Sequence, residues 1–209
     1  MNVVKAGLLD GGVSERGDRR RTALLAALDQ LLRKGSLASI NVRDISRRAE
    51  VTRSAFYFYF ENKAAAVAAL CDEMYSDALA AGQILLRGDG PAADRIGRMI
   101  TGLFRAWSAH RHVFRALLDA RDADPAVRAL WDRDRESFVA PIAAMIEGER
   151  AAGRAPAGPE ATVLAAVLLD LNDRALERLS RPGGTPIPRK QLHAALVTVW
   201  LRTIYGETA

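Results

Sequence analysis

One stretch in the first third of the chain, NVRDISRRAEVTRSAFYFYFENK at residues 41–63, limits the possible folds more than any other. Val42, Ile45 and Ala49 recur at helical spacing, so a short helix buries one face and leaves Arg43, Arg47 and Arg48 at its edges. Asn41 can cap that helix, and Asp44 places negative charge in its first turn. A tight turn at Glu50-Val51 follows. Thr52 then caps a second short helix, in which Ala55, Phe56 and Tyr59 continue the buried face while Arg53, Ser54, Tyr57 and Phe58 point elsewhere. Two short helices at a tight turn, with a basic and aromatic outer face, have the form of a helix-turn-helix able to enter a DNA major groove.

Charge is placed to match. Of the net +5, residues 1–63 hold 12 Lys or Arg against 7 Asp or Glu, while residues 64–209 hold 18 of each. All the excess positive charge therefore lies where phosphate would be met. The single Cys71 excludes an intrachain disulfide and a cysteine-built zinc site, and no metal or cofactor is expected. No signal-peptide core is present and the longest apolar run, residues 64–71, is far below the ~20 residues that span a bilayer, so a cytoplasmic protein without a membrane partner is expected.

The remainder reads as helices throughout, which gives an all-α class with about nine helices. Residues 1–15 read as an arm. Arg16, Arg19, Arg20 and Arg21 open a helix striped by Leu24, Leu25, Leu28, Leu31 and Leu32, ended by Gly35; those arginines either touch flanking DNA or stay solvated. After Lys63 one helix of roughly six turns is expected, stopped by Gly88, Gly90 and Pro91. A helical run from Ala92 to Ala120 has a junction at His110 and His112, whose spacing argues against a shared metal ion. A helix opened by Pro125 should kink at Pro141, and two strongly apolar helices close the chain. Ala165, Ala166, Leu169, Leu176, Ala194, Ala195 and Val197 on those last two suggest close packing against a second copy. The expected division is 1–63, an arm and helix-turn-helix, and 64–209, a helical ligand-binding and dimerisation unit.

The run at 45–63, above all Tyr57, Tyr59-Phe60 and Lys63, resembles the DNA-binding signature of TetR-type transcriptional regulators. Most of that family has Gly where this chain has Glu50, in a turn that favours a left-handed backbone. The resemblance implies that a homodimer presents two recognition helices to a pseudopalindromic double-stranded DNA operator. It also implies that Tyr57 and Lys63 hold the phosphate backbone. Arg43, Thr52, Arg53, Ser54, Tyr57, Phe58 and Lys63 are the candidate DNA-binding residues, with Phe58 suited to a thymine methyl.

All three Trp lie beyond residue 100, each on a separate helix, and Phe104, Phe114, Phe138 and Met145 share their stripes. Such convergent aromatics either line an apolar cavity or fill a core. FYFYF at 56–60, LNDR at 171–174 and VWLRTIYGE at 199–207 are similar to a branch of the same family whose C-terminal half holds a long, narrow apolar ligand tunnel. By that resemblance Trp107, Trp131, Phe138, Asn172 and Trp200 line a tunnel for an apolar small-molecule effector. Leu103, Phe104, Phe114, Leu118, Met145 and Leu168 complete the candidate lining. Asn172, an amide on an apolar helix, needs a partner in either protein or ligand. The expectation is a ligand-responsive repressor and not an enzyme. The alternatives are a helical carrier or enzyme with a vestigial head, or a constitutive DNA binder without effector. Against catalysis, no phosphate-binding Gly motif, no HExxH and no nucleophile with an evident His partner occurs.

Overall fold

The computed structural model describes residues 11–87, 90–180 and 187–206. The regular structure among them is helical: α1 (Gly11–Leu32), a 3-10 turn (Leu37–Ser39), α2 (Val42–Arg48), α3 (Arg53–Tyr59), α4 (Lys63–Leu70), α5 (Asp72–Arg87), α6 (Ala92–Ala109), α7 (Arg111–Ala123), α8 (Pro125–Glu136), α9 (Val139–Ala151), α10 (Ala161–Ser180) and α11 (Arg189–Tyr205). These are the nine expected helical runs, two of them broken in mid-course. The expected loop at 181–188 lies largely outside the described residues, as do the first ten residues of the arm and Gly88. The helix expected to open near residue 16 begins instead at Gly11.

Leu24, Leu28 and Leu32 of α1 bury one stripe against Ile45 of α2, Phe56 of α3 and Phe60 just past its end. Each such side chain stabilises the fold by roughly 1.5–3 kcal/mol, which suffices to hold two seven-residue helices that would not persist alone. Both start where their caps place them. Asn41 Oδ1 accepts the Asp44 N–H at 2.9 Å, and Thr52 Oγ1 accepts the Ala55 N–H at 3.2 Å. Between them Glu50 has φ 56°, the left-handed turn that a Gly would enter without strain.

The six-turn helix expected after Lys63 is two helices. Cys71 closes α4, its N–H turning back to Ala68 O and its Sγ to Val67 O at 3.2 Å, and Asp72 and Glu73 then open α5 with negative charge in its first turn. The kink expected at Pro141 is likewise displaced. α8 ends at Glu136, the hydroxyl of the capping Ser137 donates to Asp134 O at 2.5 Å, and α9 starts at Val139. Pro141 then sits in the first turn of α9, where its missing N–H would have had no intrahelical partner.

α5 and α6 pack with unusual closeness, since a Cβ on Gly102 would stand 2.8 Å from Ala81 Cβ. α10 and α11 pack on α9 and α6 respectively. Three residues expected on an outward dimer face are used inside the protomer: Ala165 and Leu176 are buried, and Leu169 turns to an internal cavity. The large apolar residues that these two helices do expose are Val163, Val167 and Val199, at 58, 57 and 40%, and Ala194 and Ala195 are exposed beside them on α11.

Candidate functional site

The outer face of α3 is exposed as its spacing requires. Phe58 is 80% exposed and Tyr57 46%, beside exposed Arg53 and Ser54. The Arg53 guanidinium lies over the Tyr57 ring at 5.7 Å and reaches its hydroxyl at 3.4 Å, so the two present as one unit. Thr52, besides capping α3, lies 3.0 Å from Ser54 Oγ. Arg43 on α2 is exposed and borders the same hollow as Arg53 and Lys63. Lys63 is the least available of the set. Its Nζ donates to Leu37 O at 2.9 Å and Ile40 O at 2.5 Å, tying the start of α4 to the loop before α2. Only its third N–H is left for an outside acceptor.

A cavity of about 120 Å³ lies among α5, α6, α7, α8, α9, α10 and α11. Seven of the eleven expected lining residues surround it: Leu103, Trp107, Phe114, Trp131, Phe138, Asn172 and Trp200. The other four do not. Phe104 points from the next face of α6 to His193, ring centroids 5.8 Å apart, under the Arg189 guanidinium. Met145 lies beyond the cavity, its sulfur 3.9 Å from Tyr205 Oη. Leu118 and Leu168 are buried in the surrounding core. On α10 the cavity face runs through Leu169, Asn172, Asp173 and Leu176, a helical stripe that leaves Leu168 to one side.

The α5 wall, Met74, Tyr75, Ala78 and Gly82, has no candidate in the aromatic pattern. Ala78 and Gly82 matter by being small, and the i, i+4, i+8 series Met74, Ala78, Gly82 is the signal that would have found them. Met99, Ala106, Arg135 and Ile142 also belong to the wall.

Polar groups inside are few. Trp107 Nε1 donates to Ser180 Oγ at 2.8 Å, and Trp200 Nε1 to Asn172 Oδ1 at 3.1 Å. Asn172 Nδ2 is buried without a protein partner, as is Asp173 Oδ2. Burial pushes the Asp173 carboxyl up to about 6 against the pull of Arg135. It also pushes the Tyr75 phenol well above its usual range.

α7 joins this cavity to the first three helices. Phe114 lines the cavity, while His112, half a turn away, meets Asp29 of α1 at 2.6 Å. At the other end of the helix Asp124 caps α8 and accepts from Asn62, the cap of α4, at 3.0 Å. Burial would raise Asp29, but its bonds from His112 and Arg33 hold it below the usual carboxylate range. The Ala126 N–H and then the Asn62 amide lower Asp124. Among the described residues no group of three or more His, Cys, Asp or Glu could hold a metal ion, and no helix is long and apolar enough to cross a membrane.

Residues 96–206 match the family described as transcriptional regulator EthR, C-terminal domain, and residues 24–70 match bacterial regulatory proteins, tetR family. The HTH-type transcriptional regulator EthR of Mycobacterium tuberculosis is 35% identical over 195 residues, which cover 91% of this chain and 89% of that one. The EthR of Mycolicibacterium smegmatis is 31% identical over 194 residues, covering 91 and 88%. A solved TetR-family regulator from Streptomyces coelicolor superposes with a TM-score of 0.65 at 23% identity, covering 89% of this chain and 80% of that chain. PfmR of Thermus thermophilus, also TetR-family, gives 0.63 at 14% identity, covering 87 and 96%. All four are transcriptional regulators and none is an enzyme.

Proposed function

We propose a function from this premise: the chain belongs to the TetR family of transcriptional regulators, with an EthR-like C-terminal domain. TetR regulators bind DNA and dimerise. Our reading for this chain is a cytoplasmic homodimeric repressor. It binds a pseudopalindromic operator through α3 and is released by an apolar small molecule in the cavity. Residues 1–63 form the DNA-binding unit and residues 64–209 the ligand-binding and dimerisation unit.

One observation carries the reading: the helices that wall the cavity are tied to the helix-turn-helix by polar contacts. α5 continues from α4, which Lys63 anchors to the head, and α7 touches the head through both His112 and Asp124. Because α4 and α5 are separate helices, the lever is the eight-residue α4 with a hinge at Cys71, not a six-turn rod. An apolar cavity of ~150 Å³ admits one benzene-sized molecule. This one is smaller, so a longer effector has to spread its walls. Spreading α5 and α7 moves both ties, and the two recognition helices of a dimer lose the separation of about one DNA turn, ~34 Å, that the operator demands.

Arg53, Ser54 and Phe58 read bases in this scheme, and Arg43, Thr52, Tyr57 and Lys63 position the protein on phosphate. The dimer face is assigned to exposed Val163, Val167, Ala194, Ala195 and Val199 of α10 and α11. Asn172 Nδ2 is assigned to a ligand carbonyl, since an unpaired buried amide costs about 1 to 3 kcal/mol. The test is a fluorescence-anisotropy titration against DNA from upstream of the protein's own gene, with scrambled competitor at two salt concentrations. Competitor-resistant binding supports the repressor. Equal binding to both duplexes at either salt refutes specific recognition.

A further inference from the structure

Two buried polar atoms without a hydrogen-bond partner belong to consecutive residues of α10, and both residues line the cavity: Asn172 Nδ2 and Asp173 Oδ2. They ask for opposite things. The amide needs an acceptor, whereas a carboxylate oxygen can be satisfied only by a donor. The surrounding side chains do not supply one. Arg135 Nε stands 3.9 Å from Oδ2, beyond hydrogen-bond reach, and its Nη1 is engaged by Asp170. One guanidinium thus faces two carboxylates. On α7, Arg121 is committed to Glu177 at 2.8 Å, and Glu177, one turn along α10 from Asp173, adds a negative charge of its own that Arg174 shares. From α5 the nearest ionisable group is the Tyr75 phenol, which burial keeps neutral.

The cavity wall therefore holds a carboxylate with an unused acceptor, beside the ring of Tyr75, which faces the same space. Trp131, one turn before Arg135 on α8, already carries the Arg121 guanidinium 5.2 Å from its ring centre, so Tyr75 is the ring of the two left to a ligand. A carboxylate beside an aromatic ring favours an organic cation.

We propose that the effector is an amphiphile carrying a basic amine, whose ammonium N–H donates to Asp173 Oδ2 while its apolar body lies along Leu103, Trp107 and Phe114. This rests on the reading of the cavity as an effector site and adds the chemistry of the head group. A neutral ligand with no donor would seal Asp173 away from water with Oδ2 still lacking a hydrogen bond and with only the distant Arg135, shared with Asp170, as its ion-pair partner, and an anion would meet the carboxylate's own charge. An ammonium supplies the missing donor and a second, closer positive partner at once. The elevated Asp173 value, about 6, agrees: at neutral pH the group is mostly ionised, against a burial penalty that a cation relieves.

The test is calorimetric titration of the full-length protein with three matched probes: 4-phenylbutylamine, 4-phenylbutan-1-ol and 4-phenylbutanoate. Near pH 7.5 the amine should bind at least about tenfold more tightly than the alcohol, and the acid most weakly. Asp173→Asn should reduce the amine's advantage over the alcohol to less than about twofold. With the unaltered protein, lowering the pH to about 5 should erase the advantage as Asp173 takes up a proton, because the amine stays charged over that range. Equal binding of amine and alcohol near pH 7.5, or an advantage that survives in D173N, overturns the amine assignment while the cavity reading stands. Failure of all three probes to bind overturns both.

Discussion

Trp200 donates its indole N–H to Asn172 Oδ1 across the α10–α11 contact, and this one bond decides which end of the amide faces the cavity. Held by its oxygen, Asn172 can offer only its NH₂ to whatever enters.

Replacing Trp200 by Phe should therefore have two effects. It leaves Oδ1 unpaired and opens a gap at a fully buried site, for a loss of about 2–4 kcal/mol in urea unfolding. It also frees the amide to turn, so a carbonyl-bearing probe should lose affinity. A W200F protein of unchanged stability would mean that the bond has no orienting role.

Glu50 is the only non-glycine residue with positive φ among the described residues. Glu50→Gly should raise stability by about 0.5–1 kcal/mol, the left-handed penalty less the extra chain entropy of Gly. That is a rise in Tm of a few degrees at most for a protein of this size. A lower Tm would place the value of Glu50 in a contact and not in its backbone.

Phe58, exposed on α3, should separate reading from folding. Phe58→Ala should leave Tm unchanged and weaken operator binding by about 1–3 kcal/mol, with little effect on nonspecific DNA. Arg43→Ala, at a phosphate position, should weaken both kinds of DNA alike and lower the salt slope by about one. Quantitative gel-shift titrations at several salt concentrations distinguish the two.

Much of this was legible in the residues because short-range chemistry determined it. Asn41 and Thr52 cap where a small polar residue precedes an apolar helical pattern, and His110 sits where two helices meet. The breaks at Cys71 and Ser137 were not legible, because each depends on a side chain turning onto its own backbone inside a run of good helix formers. The cavity was half legible. Aromatic stripes point to Trp107, Trp131 and Trp200, but periodicity does not tell Leu168 from Leu169, and space left by Ala78 and Gly82 has no signature in a search for large residues. Asp173, one residue from a recognised Asn, reads as an ordinary surface acid until its neighbours are in place.

Asp173 should also mark the pH dependence of stability. Its folded value, about 6, lies above the ordinary 3.8, so between the two the native chain binds the proton more readily than the unfolded one. Its contribution is complete below about 3.8 and is lost as pH rises through about 6. Asp173→Asn should match the unaltered protein near pH 4 and exceed it by about 1–2 kcal/mol near pH 7.5, allowing for the part of the side chain that reaches water. Thermal unfolding at the two pH values measures this; equal stability at both would mean that the carboxyl is not held at a cost.

The coupling of cavity to DNA face is tested most directly by operator affinity with and without saturating 4-phenylbutylamine. The expected result is a Kd at least about tenfold weaker with the amine, and an amine affinity reduced by the same factor when operator is bound, because linkage is reciprocal. Amine that binds in the cavity and leaves operator affinity unchanged would contradict the account, leaving a DNA-binding head and a filled cavity with nothing passing between them.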